Sequence, residues 1–278
     1  MKFILLMPVF LYGMHFFGSK NQKTETSQNA VVIGQGQMPD AVTDNNGNYH
    51  VVFGNGDSIW YSSSKDAGIT FSKPALVSIL PGLAASAMRG PQIASVSNGI
   101  TIIACNNKGD IFSYKQNNSI YWQPVARLND VDTVAKENLT DLNGDGQMLY
   151  AVWLDLRDKH NKIFGARSTN GGQSWSKNIL VYASPDTTVC ECCKPSVIVK
   201  GKNVYVMFRN WINGNRDLYL VQSSNGGLTF NTAQKLGTGS WALYGCPMDG
   251  GGLALDDNTI QTVWNRKGKI YACEAGKA

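Results

Sequence analysis

SKDAGITF (residues 64–71), STNGGQSW (168–175) and SSNGGLTF (223–230) are three copies of one pattern, Ser-x-Asp/Asn-x-Gly-x-Ser/Thr-aromatic. Such a stretch encodes a tight turn between two strands: the Asp or Asn side chain caps backbone N–H groups, Gly supplies a positive φ, and the ring tucks inward. The gap from Phe71 to Trp175 is about twice that from Trp175 to Phe230, so a degenerate copy is expected near position 123. YKQNNSIYW (114–122) stands there, with Trp122 in register and the Asp and Gly lost.

Outward from each turn the same order recurs: a polar or Pro-marked short strand, a β-rich second strand, a loop and a third strand. The second strands read HVVFGN (50–55), TIIACN (101–106), YAVWLD (150–155), VYVMFRN (204–210) and IQTVWN (260–265). Five units of about 50 residues with four strands each predict an all-β fold, a β-propeller of four-stranded antiparallel blades. The last unit stops one strand short after KIYACEA, and AVVIG (30–34) belongs to no other unit. That N-terminal strand is expected to complete the fifth blade and close the ring, leaving no open sheet edge. Five blades are predicted, with six as the alternative.

Composition agrees. A chain of 278 residues that is 43% hydrophobic and 16% charged can bury a full core and is too apolar for disorder. Its 29 glycines lie between short β-branched runs, and no long stretch holds a helical period. The net charge of +5, without a Lys/Arg block, excludes a nucleic-acid footprint. MKFILLMPVFLYGMHFFGS (1–19) has the layout of a secretory signal peptide: a Lys, an apolar run too short and Pro-broken to span a membrane, then small residues. Residues 20–29 read as a polar linker and 30–278 as the propeller domain. Export to the periplasm or the exterior is therefore expected, with no membrane span after cleavage. All six cysteines would then sit where disulfides persist.

The three boxes resemble the Asp-box, or BNR, repeats of the sialidase superfamily, over roughly residues 36–275. In that family the boxes lie on the face away from the active site and occur in many proteins without sialidase activity, so the resemblance speaks for the fold before the chemistry. Propeller topology brings the starts of first strands and the ends of second strands to one mouth of the channel. The resemblance implies an exo-sialidase-like glycoside hydrolase there, with arginines holding a substrate carboxylate, an Asp acid and a Tyr nucleophile activated by Glu. Arg89, in MRGP, is similar to the family's Arg-Ile-Pro at the head of a first strand, with Gly90 in place of Ile. Arg209 and Arg266 would complete the cationic cluster, Glu137 and Tyr244 the nucleophile pair, and Asp155 the acid. Asp155 and Arg157, in DLRD (155–158), have a competing reading as an ion pair that holds a loop. The expected ligand is a glycan or another anionic small molecule; a non-catalytic scaffold for protein interaction is the rival. The sequence does not fix the oligomeric state.

CECCKP (190–195) opens the first strand of the fourth unit, and Cys246 takes the place equivalent to Cys193 one unit later, directly before Pro247. Cys190, Cys192, Cys193 and Cys246 are thus expected at one mouth of the channel. Three readings stay open: a disulfide from Cys246 to the triplet, a strained and reducible vicinal Cys192–Cys193 bridge that would make a redox-active thiol site, and a thiolate site for Cu or Zn with Met38, Met88 and Met248 nearby. Finally, DLNGDG (141–146) begins like a calcium loop but has Val152 where the bidentate Glu belongs, and it aligns with the hairpin turn TDNNGN (43–48). A turn is the preferred reading.

Overall fold

Each of the five β-rich runs forms the second strand of an antiparallel sheet in a computed structural model that describes residues 30–116, 121–256 and 259–275. The expected signal peptide and linker lie outside the described residues. The first sheet holds β1 (Gln37–Thr43), β2 (Tyr49–Asn55), β3 (Ser58–Ser64) and β4 (Ala75–Ile79); the second holds β5 (Gln92–Val96), β6 (Gly99–Cys105), β7 (Ile111–Gln116) and β8 (Trp122–Arg127). The third holds β9 (Thr140–Asp145), β10 (Met148–Asp155), β11 (Lys162–Ser168) and β12 (Ile179–Tyr182). The fourth holds β13 (Ser196–Lys200), β14 (Asn203–Ile212), β15 (Asn215–Ser223) and β16 (Gln234–Lys235), and the fifth β17 (Gly252–Asp256), β18 (Thr259–Arg266) and β19 (Lys269–Glu274). The first strands β1, β5, β9, β13 and β17 pack side by side in that order.

The second strands of the middle sheets bury both faces because each of those sheets lies between two others. β10, for example, is buried from Leu149 to Asp155. Four apolar clusters fill the spaces between consecutive sheets: Val52 and Ile59 against Ile93 and Ile102, Ile103 and Ile111 against Trp153, Val152 against Val206 and Phe208, and Met207 and Leu220 against Trp264. On the fifth sheet Val263 is 45% and Ile270 73% exposed.

One expectation is corrected here. Residues 30–36 form no strand, and the fifth sheet has three strands among the described residues. The N-terminal segment instead runs along the first sheet, where Gly34 and Gly36 lie against the Phe53 ring and Asn55 donates to the Gln35 carbonyl at 3.2 Å. Gly34 and Gly36 explain this: the segment can approach an aromatic face closely only where no Cβ intervenes.

The three repeated turns are equivalent in detail. Each starts at the last residue of a third strand and leads to a fourth. Ser64, Ser168 and Ser223 donate to Asp66, Asn170 and Asn225, and accept from the N–H of Gly68, Gly172 and Gly227 at 2.8–2.9 Å. The Asp/Asn oxygens in turn accept the N–H of Thr70, Ser174 and Thr229. The degenerate copy also falls between a third and a fourth strand, with Trp122 opening β8; residues 117–120 lie outside the described residues. The aromatic closing the turn fastens its sheet to the preceding one: Trp122 meets Tyr61 edge-on at 5.0 Å, and Phe230 meets Tyr150 at 5.9 Å.

DLNGDG is a strand and hairpin, not an ion cage. Asp141, Asn143 and Asp145, two residues apart on β9, face β13 and accept the backbone N–H of Val197, Val199 and Gly201 at 2.8–2.9 Å. Their spacing of two matches the period of a strand.

Candidate functional site

The first strands enter the sheets at one mouth, and their entries are backbone positions an L-residue rarely adopts. Met38, Met88, Asn138 and Met248 all have φ between 48° and 70°, without the freedom of glycine. Strain of this kind persists only where the surroundings hold it, and it clusters at functional sites. Below the mouth the bore is crossed by a polar network. Lys194 donates to Gln92 at 2.6 Å and pairs with Asp141 at 3.0 Å, so one side chain from the fourth sheet reaches the second and third. Asp40 accepts the Ile93 N–H at 2.9 Å, and burial raises its pKa above the ordinary carboxylate value.

The seven residues read as catalytic do not meet in one constellation. Arg89 and Glu137 are brought together: the Arg89 Nε donates to the Glu137 carbonyl at 2.8 Å, and the guanidinium lies 3.9 Å from its carboxylate. Burial raises the Glu137 pKa, Arg89 opposes this, and Glu191 adds to it. Tyr244, the intended partner of Glu137, is 95% exposed beside the β14–β15 hairpin at Gly214.

Asp155 is fully buried and accepts from Trp153 Nε1 and from the N–H, Nε and Nη2 of Arg157, all within 2.8–3.0 Å. Arg157 also reaches Asp130 and Asn178 and stacks on Phe164. This is the loop-holding pair of the competing reading. Arg209, 1% exposed, spans the fourth and fifth sheets by donating to the carbonyls of Arg216 and Asn265 and pairing with Asp249. Arg266 turns away to the Thr238 carbonyl and the Tyr271 ring. The three guanidiniums of the expected cluster are therefore committed to different neighbours.

The four cysteines do converge. Cys192 and Cys246 are joined by a disulfide that links the fourth and fifth sheets, with Cα atoms 6.1 Å apart. The Cys190 Sγ lies 3.1 Å from that of Cys193 and 3.8 Å from that of Cys192. Cys105 and Cys273 stand apart: Cys105 packs in the core with its pKa pushed up to about 12 by burial, and Cys273 contacts Thr262.

Two clefts flank Asn55 at the end of β2. One, of about 310 Å³, lies between the first and second sheets and is lined by polar groups, among them Gln37, Asp57 and Asn107. The other, of about 390 Å³, has Phe53, Trp60 and Pro74 as its walls, with Gln35, Asn55 and Lys73 at its polar rim. Sequence reasoning missed this second cleft. WYS (60–62) carries no motif, and Gln35 joins the lining because the stretch 34–36 lies along the first sheet.

No family model matches the chain, and no curated protein matches it in sequence. Among solved structures it is similar to the fungal lectin of Aleuria aurantia, described as a six-bladed β-propeller with fucose recognition: identity is 17% and the TM-score 0.59, over 91% of this chain and 80% of the lectin. The chain is a β-propeller. Two further likenesses agree: an α-L-arabinofuranosidase of Fusarium graminearum bound to an iminosugar inhibitor (13%, TM-score 0.51, 86% of this chain and 80% of that one) and an ulvan lyase of polysaccharide lyase family 25 (13%, TM-score 0.51, 84% and 63%). At such identities they establish the propeller architecture, five of whose sheets are described here.

Proposed function

We propose that this propeller, exported after loss of residues 1–19, binds a glycan in the cleft between Trp60 and Pro74. The carrying observation is the lining itself: an indole and a phenyl wall beside two amides and an ammonium. Apolar sugar faces stack on such rings while hydroxyls need the amide donors and acceptors, and Lys73 favours a sugar bearing a carboxylate or sulfate. The sugar-binding and sugar-cleaving propellers of similar architecture support the class of ligand. The shared hydrogen bonding of the three boxes supports kinship with Asp-box propellers.

Binding fits the chemistry better than hydrolysis. Of the carboxylates read as catalytic, Asp155 is spent on Trp153 and Arg157, and Glu137 faces Arg89 rather than a tyrosine. A glycan array probed with the full chain, followed by titration of the best hit, tests the proposal. Trp60→Ala should weaken binding at least about tenfold, some 1.4 kcal/mol, without lowering the melting temperature. Silence across neutral and acidic glycans, or binding that ignores Trp60, would overturn it.

A further inference from the structure

The sulfur cluster at the mouth contains more than a structural disulfide. Cys190 and Cys193 form a Cys-x-x-Cys pair within the triplet, both buried to within 1% of full enclosure, while Cys192 is half-buried and Cys246 exposed. A buried dithiol thus lies behind a disulfide that solvent reaches, with Cys190 in contact with both.

The surroundings favour a thiolate at Cys190. Its sulfur accepts from Arg216 Nη1 at 3.0 Å and from the backbone N–H of Cys192, and Cys193 lies in hydrogen-bonding position. Arg216 is itself held over the Trp211 ring, so the cation cannot drift away. The Cys193 sulfur receives the Asp249 N–H and lies within reach of the buried Arg209 charge. Cys105, equally buried but without a cation beside it, shows what burial alone does. The sulfur–sulfur contact with Cys193 and the Arg216 charge hold the Cys190 thiol well below its ordinary range, while the same contact raises Cys193. Of the two, Cys190 is the thiol whose surroundings favour the thiolate.

We propose that Cys190, Cys193, Cys192 and Cys246 form a thiol–disulfide relay in which a disulfide is exchanged between the exposed inter-sheet position and the buried Cys-x-x-Cys pair. The Cys190 thiolate attacks the Cys192 sulfur; the Cys190–Cys192 bond forms, the Cys192–Cys246 bond breaks, and Cys246 leaves as a thiolate. Cys193 then passes its proton to Cys246 and attacks Cys190, forming Cys190–Cys193 and releasing Cys192 as a thiolate. Two sulfurs are oxidised and two reduced, with one proton and one negative charge on each side, so no outside oxidant is consumed. In the product the inner bond is shielded, and the accessible dithiol Cys192/Cys246 can reduce a disulfide presented at the mouth.

The test uses the full-length protein. Protein carrying the single Cys192–Cys246 bond is incubated at neutral pH without added reductant, quenched in acid and alkylated, and its disulfides are mapped by mass spectrometry; metal content is measured on a sample purified without chelators. The relay predicts a mixed population, with the bond at Cys192–Cys246 in some molecules and at Cys190–Cys193 in others. Cys193→Ser should accumulate Cys190–Cys192 with Cys246 alkylated, and Cys190→Ser should leave the bond on Cys192–Cys246 in every molecule. The wild-type map stands even if a variant fails to fold. Cys190 and Cys193 remaining thiols in all wild-type molecules would overturn the relay. So would four reduced cysteines holding one equivalent of zinc or copper, which would make the cluster a metal site.

Discussion

Asp155 and Asp66 show how a single carboxylate is read by what surrounds it. Asp155 accepts four hydrogen bonds in full burial, and Arg157 depends on it. Breaking such a pair leaves an uncompensated charge, so Asp155→Ala should cost about 3–5 kcal/mol in chemical denaturation. An acid catalyst would instead tolerate the change and lose only activity. Asp66 is exposed, and its hydrogen bonds to the side chain and N–H of Thr70 hold its pKa at about 2. Because the folded value lies below the unfolded value of about 3.9, its contribution is present above that upper value and lost as pH falls through the lower one. Carboxyl resonances followed by NMR should show Asp66 titrating near pH 2. Asn170 and Asn225 hold the same place in the other two boxes, so those turns should be insensitive to acid.

At the scale of elements, the box glycines do more than turn the chain. Gly227 has φ +78°, and a Cβ there would lie 2.0 Å from Tyr150 Cε2 on the preceding sheet; Gly47 has φ +81° but open space around it. Gly227→Ala therefore adds a collision to the backbone strain that Gly47→Ala carries alone. Urea denaturation should show a loss of about 3 kcal/mol or more at Gly227 and about 1 kcal/mol at Gly47. The β9 ladder makes a second prediction. Asp141, Asn143 and Asp145 are occupied by the β13 backbone, so calcium or its removal by EDTA should leave the melting temperature unchanged.

Over the whole molecule, the Cys192–Cys246 bond joins residues 54 apart in sequence and ties the fourth sheet to the three-stranded fifth. Constraint of a loop of that length stabilises by about 4 kcal/mol on the chain-entropy account. Reduction should lower the melting temperature by about 10 °C, given the scaling for domains of this size. Amide exchange should rise first in β17–β19, where Val263 is 45% and Ile270 73% exposed.

What the sequence determined by itself was whatever is local or repeated. Three boxes with the same hydrogen bonds, the five second strands and the meeting of the cysteines all follow from spacing, because each unit repeats one chain path and equivalent positions recur around one axis. Tertiary structure decided the rest. DLRD and DLNGDG carry side chains that suit either chemistry or scaffolding, and only their neighbours, Trp153 and Asn178 for one and the β13 backbone for the other, show where the lone pairs go. Arg209 lies near the end of β14 and Arg266 ends β18, the neighbouring second strand, yet one is buried among carbonyls and the other turns outward. Likewise the cleft at Trp60, and the choice of Cys192 rather than Cys193 as the partner of Cys246, depend on contacts between segments far apart in the chain. A sequence specifies which groups a unit offers; packing against the next unit decides which of them remain free to meet a ligand.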